Sequence, residues 1–181
     1  MNPNRTIRNL ALIGFMGTGK TTVGHAAAYH LSFDFIDTDR LVEARAHKSI
    51  TEIFAQDGEA AFRELERQVV EGLAQLDRTV IATGGGLGAN LDHLDSLKRH
   101  ALVVCLWTTA EVIWERVRHH AHRPLLQVAD PQAHIRQLLA QRERFYSQAD
   151  VLVNTGPRQL RDVIQHVLRE FVAARRSHRH G

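Results

Sequence analysis

The chain has 181 residues, 44% of them hydrophobic and 24% charged, and a formal net charge of +3 with the histidines neutral. This is the composition of one ordinary globular domain, able to bury a full core, and it excludes a disordered chain; no apolar stretch approaches membrane-spanning length. The basic excess is mild and not gathered into one stripe, so it suits small anionic ligands and does not argue for a nucleic-acid or membrane partner.

A polar N-terminal segment with Arg5 and Arg8 runs straight into a short apolar stretch, which is not the pattern of a secretory signal. That stretch, Leu10-Ala11-Leu12-Ile13, suits a buried parallel strand. It leads into Gly14-Phe15-Met16-Gly17-Thr18-Gly19-Lys20-Thr21, a G-x-x-x-x-G-K-T phosphate-binding loop, and then into an Ala-rich helical stretch at 22–31. The glycines let the backbone turn its N–H groups onto a phosphate at a helix N-terminus. Lys20 adds a cation, and the Thr21 hydroxyl is a hard oxygen suited to Mg²⁺. The strand–loop–helix context marks a nucleoside triphosphate site. Gly17, Thr18, Gly19, Lys20, Thr21 and Thr22 are expected to hold the nucleotide.

Apolar runs at 10–15, 33–36, 80–82, 102–107 and 151–153 alternate with helical patterns, which indicates an α/β fold with a parallel sheet. The second run ends in Asp37-Thr38-Asp39, two carboxylates at the edge where open α/β sheets bind ligands. One can approach Mg²⁺ and the other a substrate hydroxyl; the plainer alternative is that either caps the next helix. The stretch 59–76 is amphipathic, with Phe62, Leu65, Val69, Leu73 and Leu76 on one face. Arg63 and Glu66 stand beside that face, and on spacing alone they read as a surface ion pair. The third strand leads into Gly84-Gly85-Gly86, bare backbone at the ligand edge that favours close approach of a second ligand.

Cys105, the one cysteine, lies in an apolar run and reads as a buried structural thiol. No disulfide can form within the chain, which fits a reducing, cytoplasmic setting. Around 116–131 stand Arg116, Arg118, His119, His120, His122, Arg123 and Pro124; the histidines lack a nearby cysteine or carboxylate to complete a zinc site and read as a solvated loop. Arg123 differs, being fixed by Pro124 and anchored by Leu125 and Leu126. Asp130-Pro131 opens a last long amphipathic helix before the fifth strand, carrying Arg136, Arg142 and Arg144. The Arg- and His-rich tail, 173–181, is expected to fray.

In this order the motifs resemble those of the shikimate kinase family over nearly the whole chain. They are the phosphate loop, D-x-D at Asp37 and Asp39, F-R-x-x-E from Phe62 to Glu66, the glycine triplet, R-P-L-L from Arg123, and R-x-x-x-Y from Arg142 to Tyr146. The resemblance implies a single domain over 1–181 with the nucleoside-monophosphate-kinase type of fold: a five-stranded parallel sheet in order 2-3-1-4-5, helices on both faces, and a mobile lid at 116–131. It implies a monomer that moves the γ-phosphoryl group of ATP to the 3-hydroxyl of shikimate. Asp39, Arg63, Gly85, Gly86 and Arg142 would bind shikimate, and Thr21 with Asp37 would hold Mg²⁺. Lys20, Asp39 and Arg123 would be catalytic, with Arg118 and Arg123 also on the nucleotide. The rivals are another small-molecule kinase on this fold, such as a gluconate kinase, and a non-catalytic nucleotide-binding regulator. The first need not keep Arg63, the triplet and Arg142 together. The second predicts loss of Lys20, Asp37, Asp39 or Arg123, and all four are present.

Overall fold

A computed structural model describes residues 5–119 and 128–177. Five strands form one parallel sheet: β1 (Asn9–Ile13), β2 (Asp34–Asp37), β3 (Thr79–Ala82), β4 (Ala101–Trp107) and β5 (Val151–Asn154). Their order is β2-β3-β1-β4-β5, with β1 central, as the resemblance implied. Every residue of β1 is buried, which explains why it reads as an uninterrupted apolar run and not as an alternation.

Alternation sends side chains to opposite faces, and the two cores sort accordingly. Ala11 and Ile13 of β1 join Val103 and Cys105 of β4 on one face. Leu10 and Leu12 join Leu102, Val104 and Leu106 on the other. The first face is covered by α2 (Thr38–Ala46), α3 (Ile50–Gln56), α4 (Gly58–Leu73), α5 (Leu91–Lys98), α6 (Ala110–Val117) and α7 (Pro131–Tyr146). The second carries α1 (Lys20–Leu31) and α8 (Leu160–Ser177). Among the described residues no helix is long and apolar enough to cross a membrane.

The tail departs from expectation. Five of the nine residues expected to fray, 173–177, continue α8, because Val163, Val167 and Phe171 anchor the helix. Arg175 then lays its guanidinium over the Phe33 and Phe171 rings, 5.8 and 5.7 Å from their centroids, so a charged side chain of the tail packs on the fold. The loop expected at 116–131 is shorter at both ends. Arg116 and Val117 are still in α6, and Pro131 already opens α7 behind an Asp130 cap that accepts from the Ala133 N–H at 2.9 Å. Its centre, with His120, His122 and Arg123, lies outside the described residues.

Candidate active site

The phosphate loop sits at the C-terminal end of the central strand, between β1 and α1. Gly19 caps α1 in the left-handed region, at φ 95°, which a side chain would strain. The loop is braced internally: Thr18 Oγ1 donates to the Phe15 carbonyl at 2.8 Å, and Lys20 Nζ donates to the carbonyls of Gly14 and Phe15, both at 2.9 Å. Lys20 is thus curled over the loop, where an anion would sit.

Strand β2 stops at Asp37, so Asp39 leaves from the first turn of α2 and not from the strand. Asp37 is the N-cap of α2: its Oδ1 accepts from the Asp39 N–H at 3.1 Å. The capping alternative is therefore realised for Asp37, yet its second oxygen keeps another task. Oδ2 accepts from Thr21 Oγ1 at 3.2 Å, which puts two hard oxygen groups side by side at the edge of the phosphate loop.

Asp39, in the first turn of α2, is directed at the glycine triplet; a Cβ on Gly84 would overlap its Oδ1. Thr38 sets that approach by accepting from the Gly84 N–H at 2.7 Å. Burial pushes the Asp39 carboxyl up to about 6 from an ordinary 3.8, and the Asp37 charge adds to the effect while Lys20 opposes it. Among the described residues this is the acidic group whose titration is brought nearest neutrality.

Arg63 and Arg142 reach the same loop from different helices. Arg142, on α7, donates to the Gly85 carbonyl at 2.9 Å and lies 5.2 Å over the Phe15 ring. Arg63, on α4, lies so close that a Cβ on Gly86 would be 2.5 Å from its Nη1. Its partner Glu66 is only 3% exposed and accepts from Nη1 at 2.6 Å, so the pair is not the surface bridge that spacing suggested. The signal was available: Phe62 and Val69 bracket position 66 on the apolar stripe, where a lone carboxylate needs a partner. Two guanidiniums, one raised carboxylate and bare glycine backbone converge beside the phosphate loop, and an open groove of about 560 Å³ borders them along Ala89, Gln141 and Arg142.

A second cleft, of about 380 Å³, opens on the other side of the loop and is lined by Gly17, Thr18, Gly19, Thr22, Arg116 and Arg158, among others. Arg116 bridges it, donating to the Gly17 carbonyl at 3.2 Å and to the Thr155 carbonyl at 2.8 Å. Arg118, expected on the nucleotide, lies 3.2 Å from Glu115 at the end of α6 and is not part of the lining. Residues two apart on a helix point in directions about 200° different, and the sequence pattern does not fix which one faces inward. Arg116 and Arg158 are the cleft residues that sequence reasoning missed.

A phosphate loop with one cleft for a nucleotide and a second, arginine-lined site beyond it defines a P-loop kinase of small molecules. The shikimate kinase family model matches residues 16–172. The shikimate kinase of Caldanaerobacter subterraneus is 42% identical over 92% of this chain and 97% of its own. That of Deinococcus radiodurans is 40% identical over 92% and 84%. A solved shikimate kinase from Acinetobacter baumannii, in complex with shikimate, superposes with a TM-score of 0.86 at 35% identity, covering 94% of this chain and 96% of that one. A gluconokinase from Sinorhizobium meliloti, at 17% identity and a TM-score of 0.63, shares the fold alone. The chain belongs to the shikimate kinase family, a family of phosphotransferases.

Proposed function

We propose that the chain transfers the γ-phosphoryl group of ATP to the 3-hydroxyl of shikimate, giving shikimate 3-phosphate and ADP. The observation that carries this reading is the convergence of Arg63, Arg142 and Asp39 on Gly84, Gly85 and Gly86 beside the phosphate loop. Two planar guanidiniums match one carboxylate bidentately, and the triplet allows the acceptor to lie against the backbone of Gly85 and Gly86. Asp39 receives the acceptor hydroxyl. With its titration moved up to about 6, its carboxylate is a stronger base than an ordinary aspartate and is still ionised near neutrality.

Gly17, Thr18, Gly19, Thr21 and Thr22 hold the phosphates, and Lys20 exchanges its loop carbonyls for phosphate oxygens. Phosphoryl transfer asks mainly for alignment and charge compensation, which these groups supply. Arg123, from the segment outside the described residues, adds a cation over the transferring group. Thr21 and Asp37 fit Mg²⁺: both offer hard oxygens 3.2 Å apart at the phosphate edge. Among the described residues no cluster of three or more His, Cys, Asp or Glu side chains could hold a metal alone, so Thr21 and Asp37 would hold the ion together with ligands from the bound nucleotide and solvent. When bound, the ion neutralises charge on the phosphates. The reading extends to a monomer working in the cytoplasm; a lone thiol, Cys105, fully buried, fits the reducing setting of that compartment and leaves the oligomeric state to measurement. A coupled assay of ADP release tests it: shikimate drives turnover, while gluconate and a no-acceptor control do not. Turnover with gluconate equal to that with shikimate overturns it.

A further inference from the structure

The nucleotide cleft is backed by a relay of polar groups that the reaction as read leaves unused. Arg158 lines the cleft from the loop between β5 and α8. One of its terminal nitrogens, Nη1, lies 2.7 Å from Nδ1 of His166, in the second turn of α8. The other ring nitrogen, Nε2, lies 3.4 Å from Oε1 of Glu170, one turn further on. These contacts admit a single arrangement of protons. A guanidinium only donates, so Nδ1 must be the unprotonated, accepting nitrogen, and the ring proton sits on Nε2 facing the carboxylate. Arg158 donates to His166, and the far side of the ring faces the Glu170 carboxylate, 3.4 Å away.

The two ends of this relay differ in rigidity. His166 and Glu170 are carried by α8, which is pinned to the sheet through Val163, Val167 and Phe171. Arg158 leaves an exposed loop on a long side chain with many rotamers. A fixed acceptor therefore selects, from those rotamers, the ones seen in the cleft wall, before any ligand binds. The logic is that of an outer group that fixes a ring tautomer and through it aims an inner ligand-binding group.

We propose that His166 is a positioning residue for the nucleotide site: it accepts from Arg158 and so aims that arginine at the bound nucleotide, and the Glu170 carboxylate facing its other nitrogen favours the accepting tautomer. The proposal rests on the reading of this cleft as the ATP site. ADP binding by calorimetry, with KM for ATP and shikimate alongside, tests it on the full chain. His166→Leu removes the acceptor and is expected to weaken ADP binding and raise the KM for ATP about three- to tenfold, the span of one solvent-accessible hydrogen bond. The shikimate KM and the melting temperature stay at native values. His166→Asn, whose side-chain oxygen falls near the Nδ1 position, restores most of the affinity. Glu170→Lys reverses the relay, since an ammonium donates to Nε2 and drives the proton to Nδ1; it matches His166→Leu without touching the cleft. Arg158→Ala loses as much affinity as the double variant Arg158→Ala/His166→Leu, because the histidine acts through the arginine. Additive losses, native ADP affinity in His166→Leu and Glu170→Lys, or a loss that tracks a lowered melting temperature each overturn the inference. Failure of the native chain to bind ADP overturns instead the reading of the cleft on which it rests.

Discussion

Asp39 is held where folding alone would not leave a carboxylate. It is largely buried against Gly84, with Asp37 as a like-charged neighbour, and its titration is pushed up to about 6. A raised carboxyl stabilises the fold fully only below its unfolded value near 3.8, and that stability is lost as pH rises through 6. The charged form is therefore a standing cost at neutrality, on the order of 1–3 kcal/mol after allowance for residual solvent. Asp39→Asn should raise the melting temperature at pH 7.5, leave it unchanged near pH 3.5, and abolish most turnover at saturating substrates. Thermal unfolding at the two pH values checks the first part; a variant less stable at pH 7.5 would mean that the carboxylate is a structural asset. Arg63 and Arg142 make the complementary case on the substrate side. Replacing either with Ala should weaken shikimate binding about ten- to a hundredfold, the worth of a charge-assisted contact, with ATP binding little changed. Titrating both ligands separates this from a structural role, which would depress the two alike.

At the scale of elements, the site depends on where each element stops. The phosphate loop was legible in full because its spacing is itself the mechanism. The glycine triplet was legible because absent side chains mark close approach. The spacing of Asp37 and Asp39 left open which of them caps the next helix; β2 ends at the first, which is the cap, and the second enters α2. Helix and strand boundaries are legible from sequence only to within a residue or two, and here one residue decides which aspartate caps. The extension of α8 to Ser177 was hidden for a similar reason: an Arg-rich tail looks solvated until the Phe33 and Phe171 rings are in place beneath Arg175. That Arg116 and not Arg118 lines the cleft depends on the helix phase of α6, which only packing fixes. Gly86 tests the idea that the triplet exists for approach and not for flexibility. A Cβ there meets Arg63 Nη1 at 2.5 Å and Glu66 Oε1 at 3.2 Å. Gly86→Ala should raise the shikimate KM about tenfold by turning Arg63 aside, at about 1.4 kcal/mol, while ATP binding and the far-ultraviolet spectrum hold. Equal loss on both ligands would point to a displaced loop.

Across the whole molecule the two ends of the sheet carry opposite burdens. The C-terminal edge is kept bare and charged for ligands, so the N-terminal edge has to be closed by side chains. Asn9 closes it, donating to the Leu76 carbonyl at 2.7 Å, accepting from the Thr79 N–H at 3.0 Å, and lying 3.1 Å from His100 Nδ1. Arg5 and Asp150 close the β4–β5 side with a shielded ion pair at 2.6 Å, and Asp150 also accepts from the Val103 N–H at 2.7 Å. Because the Asn9 amide donates to it, His100 Nδ1 must be unprotonated. Burial, together with the nearby Arg8 and Arg5, lowers its titration from 6.5 to about 4. A depressed histidine contributes stability that is fully present above 6.5 and is lost as pH falls towards 4, on the order of 3 kcal/mol if the ring stays as dry as its 3% exposure indicates. Over part of that window Asp39 titrates with the opposite sign, gaining stability as pH falls below about 6. The acid response of the native chain is thus a difference between the two ends of one sheet. His100→Gln keeps a polar side chain able to accept from Asn9 but removes the titration, so its stability should fall less than that of the native chain between pH 6.5 and 4.5. Asp39→Asn should fall more steeply than native over the same range. Urea unfolding of the three proteins at pH 7.5, 6.5, 5.5 and 4.5 measures this directly, and parallel curves for all three would show that neither group governs the acid limit of the fold.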